Sequence, residues 1–222
     1  MEHKLTPVEV RILGSLVEKE LTTPEYYPLT LNSLVSACNQ KSNRHPVMSL
    51  SSKEVENTLE DLKDKRMVWQ MSLAGSRVPK YEHNLKSLYS FDDNELALLS
   101  VLMLRGPQTV GELRARTERM VKFTSLDEVE NVLQVLSGKE GGPFVQQITR
   151  KAGQKENRYV QLFSEEEVGE ISQENQLTDM ESADVQPRLS DRVALLEGEV
   201  NELRNEMAII KEDFNELKRL LE

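Results

Sequence analysis

From Leu189 to Leu221 the apolar residues advance in alternating steps of four and three: Leu189, Val193, Leu196, Val200, Leu203, Met207, Ile210, Phe214, Leu217 and Leu221. A sustained spacing of this kind is the pattern of a coiled coil, because it keeps one apolar stripe against a partner helix. Val193, Val200, Met207, Phe214 and Leu221 take position a, and Leu189, Leu196, Leu203, Ile210 and Leu217 take position d. Valine at the early a positions with leucine at d favours two parallel strands. In such a pair each g residue faces the e residue five places on in the other chain. Those pairs are Arg192 with Glu197, Glu199 with Arg204, Glu206 with Lys211 and Asp213 with Lys218, all opposite in sign. A lone amphipathic helix docked on its own body accounts for the stripe but not for the matched pairs. At 1.5 Å per residue the helix is about 50 Å long, more than a small domain absorbs. The expectation is a parallel homodimer joined through residues 189–222.

The residues ahead of the coil, 1–163, suffice for two small cores. Their charge differs from that of the whole chain. The net charge is −10, but residues 164–222 hold 17 acidic and 6 basic residues of the chain's 38 and 28, leaving 21 acidic and 22 basic in the body. An acidic total would argue against nucleic-acid binding, and that argument applies to the tail alone. Residues 164–188 open on Glu165, Glu166 and Glu167, hold few apolar residues and reach Pro187 just before the coil; they are read as an acidic, flexible linker. If that strand competes with phosphate for Arg150, Lys151, Lys155 and Arg158, it weakens DNA binding until a site or partner displaces it. The segment Met1 to Val10 lacks the apolar core of an export signal and no membrane span is present, so a cytoplasmic protein is expected. A single cysteine, Cys38, rules out an internal disulfide.

The body reads as a repeat. Thr6-Pro7-Val8-Glu9 has the spacing of a capping box with proline at the first helical position, and Val10, Leu13, Leu16, Val17 and Leu21 follow at helical spacing until Pro24 and Pro28. A second helix is expected from Thr30, with Leu31, Leu34, Val35 and Cys38 on one face. Ser51 with Glu54 caps a third, with Val55, Leu59 and Leu62 facing inward. Residues 67–73, 74–79 and 80–83 then read as strand, turn and strand. The order recurs. Asp92 with Glu95 caps a helix stopped by Gly106-Pro107, Thr109 with Glu112 caps the next, and Ser125 with Glu128 caps a third through Val129, Leu133 and Leu136. Strands at 144–148 and 158–162 close the unit. Glu-Val-Glu-Asn, followed two places on by leucine, stands in both third helices, 74 residues apart.

Three helices followed by a hairpin is the winged form of the helix-turn-helix. The expected fold is therefore mainly α with small β-wings: two tandem winged-helix domains, residues 1–89 and 90–163, followed by the linker and the C-terminal coiled coil. The run Cys38-Asn39-Gln40-Lys41-Ser42-Asn43-Arg44, then Pro46-Val47-Met48, with Gly75-Ser76-Arg77-Val78 and Lys80-Tyr81, resembles the YceH-like family of uncharacterised bacterial proteins. The resemblance covers roughly Lys4 to Phe163 and implies the tandem winged-helix fold, without an activity or catalytic residues. His45 stands where that family's pattern leads one to expect Asp or Glu.

Catalytic chemistry has little to build on. His3, His45 and His83 lie in different segments with no glycine-rich phosphate loop or nucleophile elbow nearby, and they read as isolated surface histidines rather than metal ligands. Cys38 falls on the apolar face of its helix and reads as core. The expectation is a non-enzymatic protein with no cofactor. Nucleic-acid binding is the first function the fold suggests, but the third helices are poor groove readers. Lys53, Asn57, Glu60, Asp61 and Asp64 form the outer face of the first, and Asp127, Asn131, Gln134 and Val135 that of the second. The cations lie elsewhere: Lys41 and Arg44 in the first loop, Arg77 and Lys80 on the first hairpin, Arg114, Arg116, Arg119 and Lys122 ahead of the last helix, and Arg150, Lys151, Lys155 and Arg158 on the second hairpin. These, with Lys53 and Asn57, are the candidate contacts to double-stranded DNA, chiefly to phosphate. The rival expectation is a protein-docking adaptor that uses the same surfaces, by analogy with chromosome-segregation adaptors of similar fold.

Overall fold

The computed structural model describes residues 4–72, 78–148 and 156–164. The tips of both hairpins, with Arg77, Arg150, Lys151 and Lys155, lie outside the described residues, as do the linker from residue 165 and every heptad position of the coil.

Helix α1 (Pro7–Thr22) begins where the sequence places it. The Thr6 hydroxyl accepts from the Glu9 N–H while the Glu9 carboxylate accepts from the Thr6 N–H, so two otherwise orphaned donors are satisfied. Two-residue strand β1 (Leu29–Thr30), helix α2 (Leu31–Cys38) capped by Thr30, and helix α3 (Ser52–Asp64) capped by Ser51 follow. Val55, Leu59 and Leu62 are fully buried, as their spacing predicts. Strands β2 (Val68–Met71) and β3 (Lys80–His83) form the first hairpin, and β1 pairs with β3 to give the order β1-β3-β2.

A short helix α4 (Leu85–Tyr89) leads to α5 (Asp93–Arg105), α6 (Val110–Thr117), α7 (Leu126–Gly138) and the second hairpin, β4 (Val145–Ile148) with β5 (Arg158–Gln161). The order of three helices and a hairpin thus occurs twice among the described residues. The halves agree in a detail that periodicity does not reveal. In each, backbone just before the second helix pairs with the last strand: Leu29 and Thr30 with β3, and Gln108 with Tyr159 through two hydrogen bonds of 2.7 and 3.0 Å. Helix α7 departs from the expected capping box. Ser125 Oγ accepts from the Glu128 N–H, but the Glu128 carboxylate turns to the N–H and hydroxyl of Thr124 instead of back to Ser125.

The first helices of the two halves, α1 and α5, are buried on nearly all sides and pack on each other. A helix buried on most of its circumference belongs inside a core, and the polar side chains α1 carries there, Glu9 and Arg11, make hydrogen bonds. Gly14 permits the close approach: a Cβ there would stand 2.9 Å from Met103 Cβ and 3.0 Å from Leu104 Cγ. One apolar core runs through both halves, from Leu5 to Phe163. Tyr89, Phe91, Phe144 and Phe163 extend it as an aromatic cluster with centroids 4.7–6.3 Å apart. The Leu5 N–H donates to the Phe163 carbonyl at 2.8 Å, closing the body where its chain begins and ends.

Candidate functional site

The loop from Asn39 to Leu50 has no regular structure, yet it is pinned at several points. The Asn39 amide both donates to the Leu50 carbonyl and accepts from the Leu50 N–H, each at 2.8 Å, and so closes the loop at its base. Asn43 adopts φ 60, a left-handed conformation that asparagine tolerates better than most residues. Its amide oxygen accepts from the Arg105 guanidinium at the end of α5, and the His45 N–H donates to the Leu104 carbonyl at 2.8 Å. From α1, Arg11 reaches up to the Cys38 and Pro46 carbonyls at 3.2 and 2.6 Å.

This arrangement corrects the expectation for Arg44. Far from facing solvent to grip phosphate, it is 5% exposed. Its guanidinium grips both carboxylate oxygens of Glu18, at 2.6 and 3.1 Å, and donates to the Ala37 and Asn43 carbonyls. The planar fork of arginine matches a carboxylate at two points and also satisfies a carbonyl in the last turn of α2, so inward orientation wins over solvation. Burial alone would push the Glu18 carboxyl up, but Arg44 and Lys19 hold it below the usual carboxylate range.

Beside this pair lies a cleft of about 510 Å³, walled by the end of α1, the loop after α2, the end of α5 and the end of α6 with its following turn. Three of the candidate cations meet there, Lys41, Arg116 and Arg119, and two that sequence reasoning passed over join them, Lys19 and Arg105. Glu18 is the one carboxylate in the lining. Lys41 and Arg119 have no partner among the described residues; Arg116 approaches Glu112 at 3.4 Å. Burial, and after it the nearby guanidiniums of Arg116 and Arg44, push Arg105 below the usual arginine range. Arg105 and Lys19 carried no signal in the sequence, because each reads as a basic residue in the last turn of a helix.

The other side of α6 borders a second hollow of about 410 Å³, where Arg114 and Lys122 flank Phe123 and Leu126. Arg114 donates to the Phe123 and Thr124 carbonyls and remains exposed; Lys122 is exposed with no partner among the described residues. Arg158 is less available than its place on the hairpin suggests, since it donates at 2.8 Å to both Glu112 and the Pro107 carbonyl. Burial alone would raise the Glu112 carboxyl, but the Thr109 N–H, Arg158 and Arg116 hold it down. Lys53 and Asn57 on α3 are exposed, Lys80 on β3 is half-buried, and none of them lines either hollow. The outer faces of the third helices are as expected, with Glu60, Asp61 and Asp64 exposed on α3 and Asp127, Asn131 and Gln134 on α7.

His83 corrects the reading of isolated surface histidines. It is 8% exposed; Nε2 meets Glu20 at 2.5 Å, and Nδ1 accepts from the Leu85 N–H at 3.3 Å. Glu20 also pairs with Lys86 at 3.1 Å, and Lys86 with Asp93 at 2.9 Å, so the group ties α1 to β3 and to the start of α5. Cys38 is fully buried, as its spacing predicts, and burial pushes its thiol up, away from the reactive thiolate. Among the described residues no three His, Cys, Asp or Glu side chains stand close enough to hold a metal ion, and no helix is long and apolar enough to cross a membrane.

The fold defines a mainly helical protein with two small antiparallel sheets, in which Arg114, Arg116, Arg119 and Lys122 stand on α6 and its following turn. Residues 5–154 match the family described as a protein of unknown function, DUF480, and the chain belongs to that family.

Proposed function

We propose that this protein is a dimeric, non-enzymatic DNA-binding protein of regulator type, built from two tandem winged-helix domains of the YceH-like kind and joined to its copy through the C-terminal coil, in the cytoplasm. The observation that carries this reading is the ring of cations on α6 and its following turn. Arg114 and Lys122 stand on one side, Arg116 and Arg119 on the other, and Lys41 lies across the cleft. In a helix-turn-helix pair the first helix crosses the phosphate backbone while the second meets the groove. By that analogy α6 takes the backbone position and α7 presents Asn131 and Gln134, amides able to pair with adenine edges. The third helices bring carboxylates and no arginine, so phosphate contact supplies most of the affinity. Two bodies tethered by one coil engage two half-sites at raised effective concentration.

The test is fluorescence anisotropy of the full chain against a pool of random duplexes from low to physiological salt. Affinity should fall steeply with salt, and Arg114→Gln with Lys122→Gln should reduce the log-log slope by about 2, at roughly 0.9 per phosphate contact. Absence of binding at low salt would overturn the reading.

A second reading, a protein-docking adaptor, is favoured by α7 itself. Val135 is 55% exposed on its outer face and Leu126 is 46% exposed at its first turn, apolar positions that a phosphate-flanked groove does not reward.

A further inference from the structure

We propose that the cleft between α1, α5, α6 and the pinned loop is a binding site for a small phosphate-bearing anion, held by Lys19, Lys41, Arg105, Arg116 and Arg119. This reading goes beyond DNA binding; it shares Lys41, Arg116 and Arg119 with that reading, and the experiment below separates the two.

Charge balance is the first argument. Five basic side chains line the cleft against Glu18 as the one carboxylate of the lining, whose oxygens are both engaged by Arg44 with Lys19 a further 3.4 Å neighbour. Among the described residues, Arg116 alone of the five reaches outside the lining to a carboxylate, Glu112 at 3.4 Å. Cations in excess of their counter-charges repel one another, more strongly where burial lowers the local dielectric. Burial first, and then the Arg116 and Arg44 guanidiniums, hold Arg105 below the usual arginine range, while Glu18 and Glu112 act the other way. An anion seated among the cations relieves their repulsion.

Donor geometry is the second. Arginine forks and lysine ammoniums are the side chains that take phosphate oxygens at two points or as a point charge. Gln40 and Ser42 add neutral groups that have no partner among the described residues. The loop that carries them is fixed through Asn39, Asn43, Arg44 and His45, so a ligand need not order it.

Shape selects among the sources of phosphate. A volume of about 510 Å³ falls within the range typical of small-molecule sites, about 300–1,000 Å³. Arg105, Arg116 and Lys19 are part-buried, and the apolar floor of Val101 and Leu104 is buried. A duplex is a wide rod whose phosphates meet projecting side chains such as Arg114 and Lys122, whereas a free phosphoanion enters the recess.

The test uses the full chain and inorganic diphosphate, by isothermal titration calorimetry at fixed low ionic strength, with duplex binding followed by anisotropy on the same proteins. Saturable binding of one diphosphate per chain is expected. Lys41→Gln with Arg119→Gln should weaken it at least tenfold, while Arg114→Gln with Lys122→Gln leaves it unchanged. Lys41 and Arg119 are exposed and bond to nothing among the described residues, and an unaltered thermal melt would confirm that the variant folds. No saturable diphosphate binding, or equal binding by the Lys41/Arg119 variant, overturns the proposal. If diphosphate binds in the cleft and no duplex binds, the DNA reading fails and this one holds. If duplex binding is lost with Lys41 and Arg119 while diphosphate never binds, the cleft cations serve nucleic acid and the free-anion site is refuted.

Discussion

Arg44 and Glu18 meet as a two-point ion pair at 2.6 and 3.1 Å, with the Arg44 side chain fully buried and the Glu18 side chain nearly so. The pair joins α1 to the loop that forms one wall of the cleft. Removing Arg44 leaves the part-buried Glu18 carboxylate with Lys19 alone and takes the donor from the Ala37 and Asn43 carbonyls, which is more costly than losing an exposed pair. Arg44→Ala should therefore destabilise the protein by about 3 kcal/mol, measured as a lowered midpoint in urea. A shift as small as that of a surface substitution would mean that the pair is dispensable.

The same carboxylate sets an expectation for acid. Glu18 lies below its ordinary value of 4.5 because its partners favour the charged form. The unfolded chain then binds more protons than the folded one as the pH drops. The stabilisation is complete above the ordinary value and is lost as pH falls through the lower folded value. Urea midpoints taken between pH 6 and pH 3 should fall across that window. In Glu18→Gln the curve should start lower at neutral pH and fall less.

Gly14 tests the seam between the halves. Alanine is the better helix former by about 1 kcal/mol, but its methyl would meet Met103 Cβ, which cannot swing away, at 2.9 Å. Overpacking typically costs about 1–3 kcal/mol. Gly14→Ala should destabilise on balance, by about 1 kcal/mol in chemical denaturation, and Gly14→Leu by more. A stabilised Gly14→Ala would show that α1 and α5 separate easily.

The proposed coil is tested by the d positions its heptads predict. A carboxylate at d has no counter-charge across a parallel seam. Leu196→Asp with Leu203→Asp should convert the dimer to a monomer in sedimentation equilibrium without altering the melting of the body. If the wild-type chain is itself monomeric, the heptads serve some other packing.

The sequence disclosed the elements whose signal is local. Capping spacing located the starts of α1, α3, α5 and α6, and helical periodicity gave Val55, Leu59, Leu62, Val129, Leu133 and Leu136 as buried. What it did not disclose depends on partners distant in the chain. Strand β1 is two residues long, too short for any period, and exists because β3 offers Tyr81 and Lys80 opposite it. The burial of Arg44 depends on Glu18, 26 residues earlier, and that of His83 on Glu20, 63 residues earlier. The cleft was legible only in fragments: Lys41, Arg116 and Arg119 stood out as basic residues, while Lys19 and Arg105 became part of one site through the packing of α1 on α5.

The hydrogen bond from Leu5 to Phe163 has a consequence for how the body can be rewired. Its two ends lie side by side, the arrangement that lets a domain be circularly permuted. A short link from Ser164 back to Lys4 would span little distance, so new termini could be opened at an exposed turn while the shared core kept every contact.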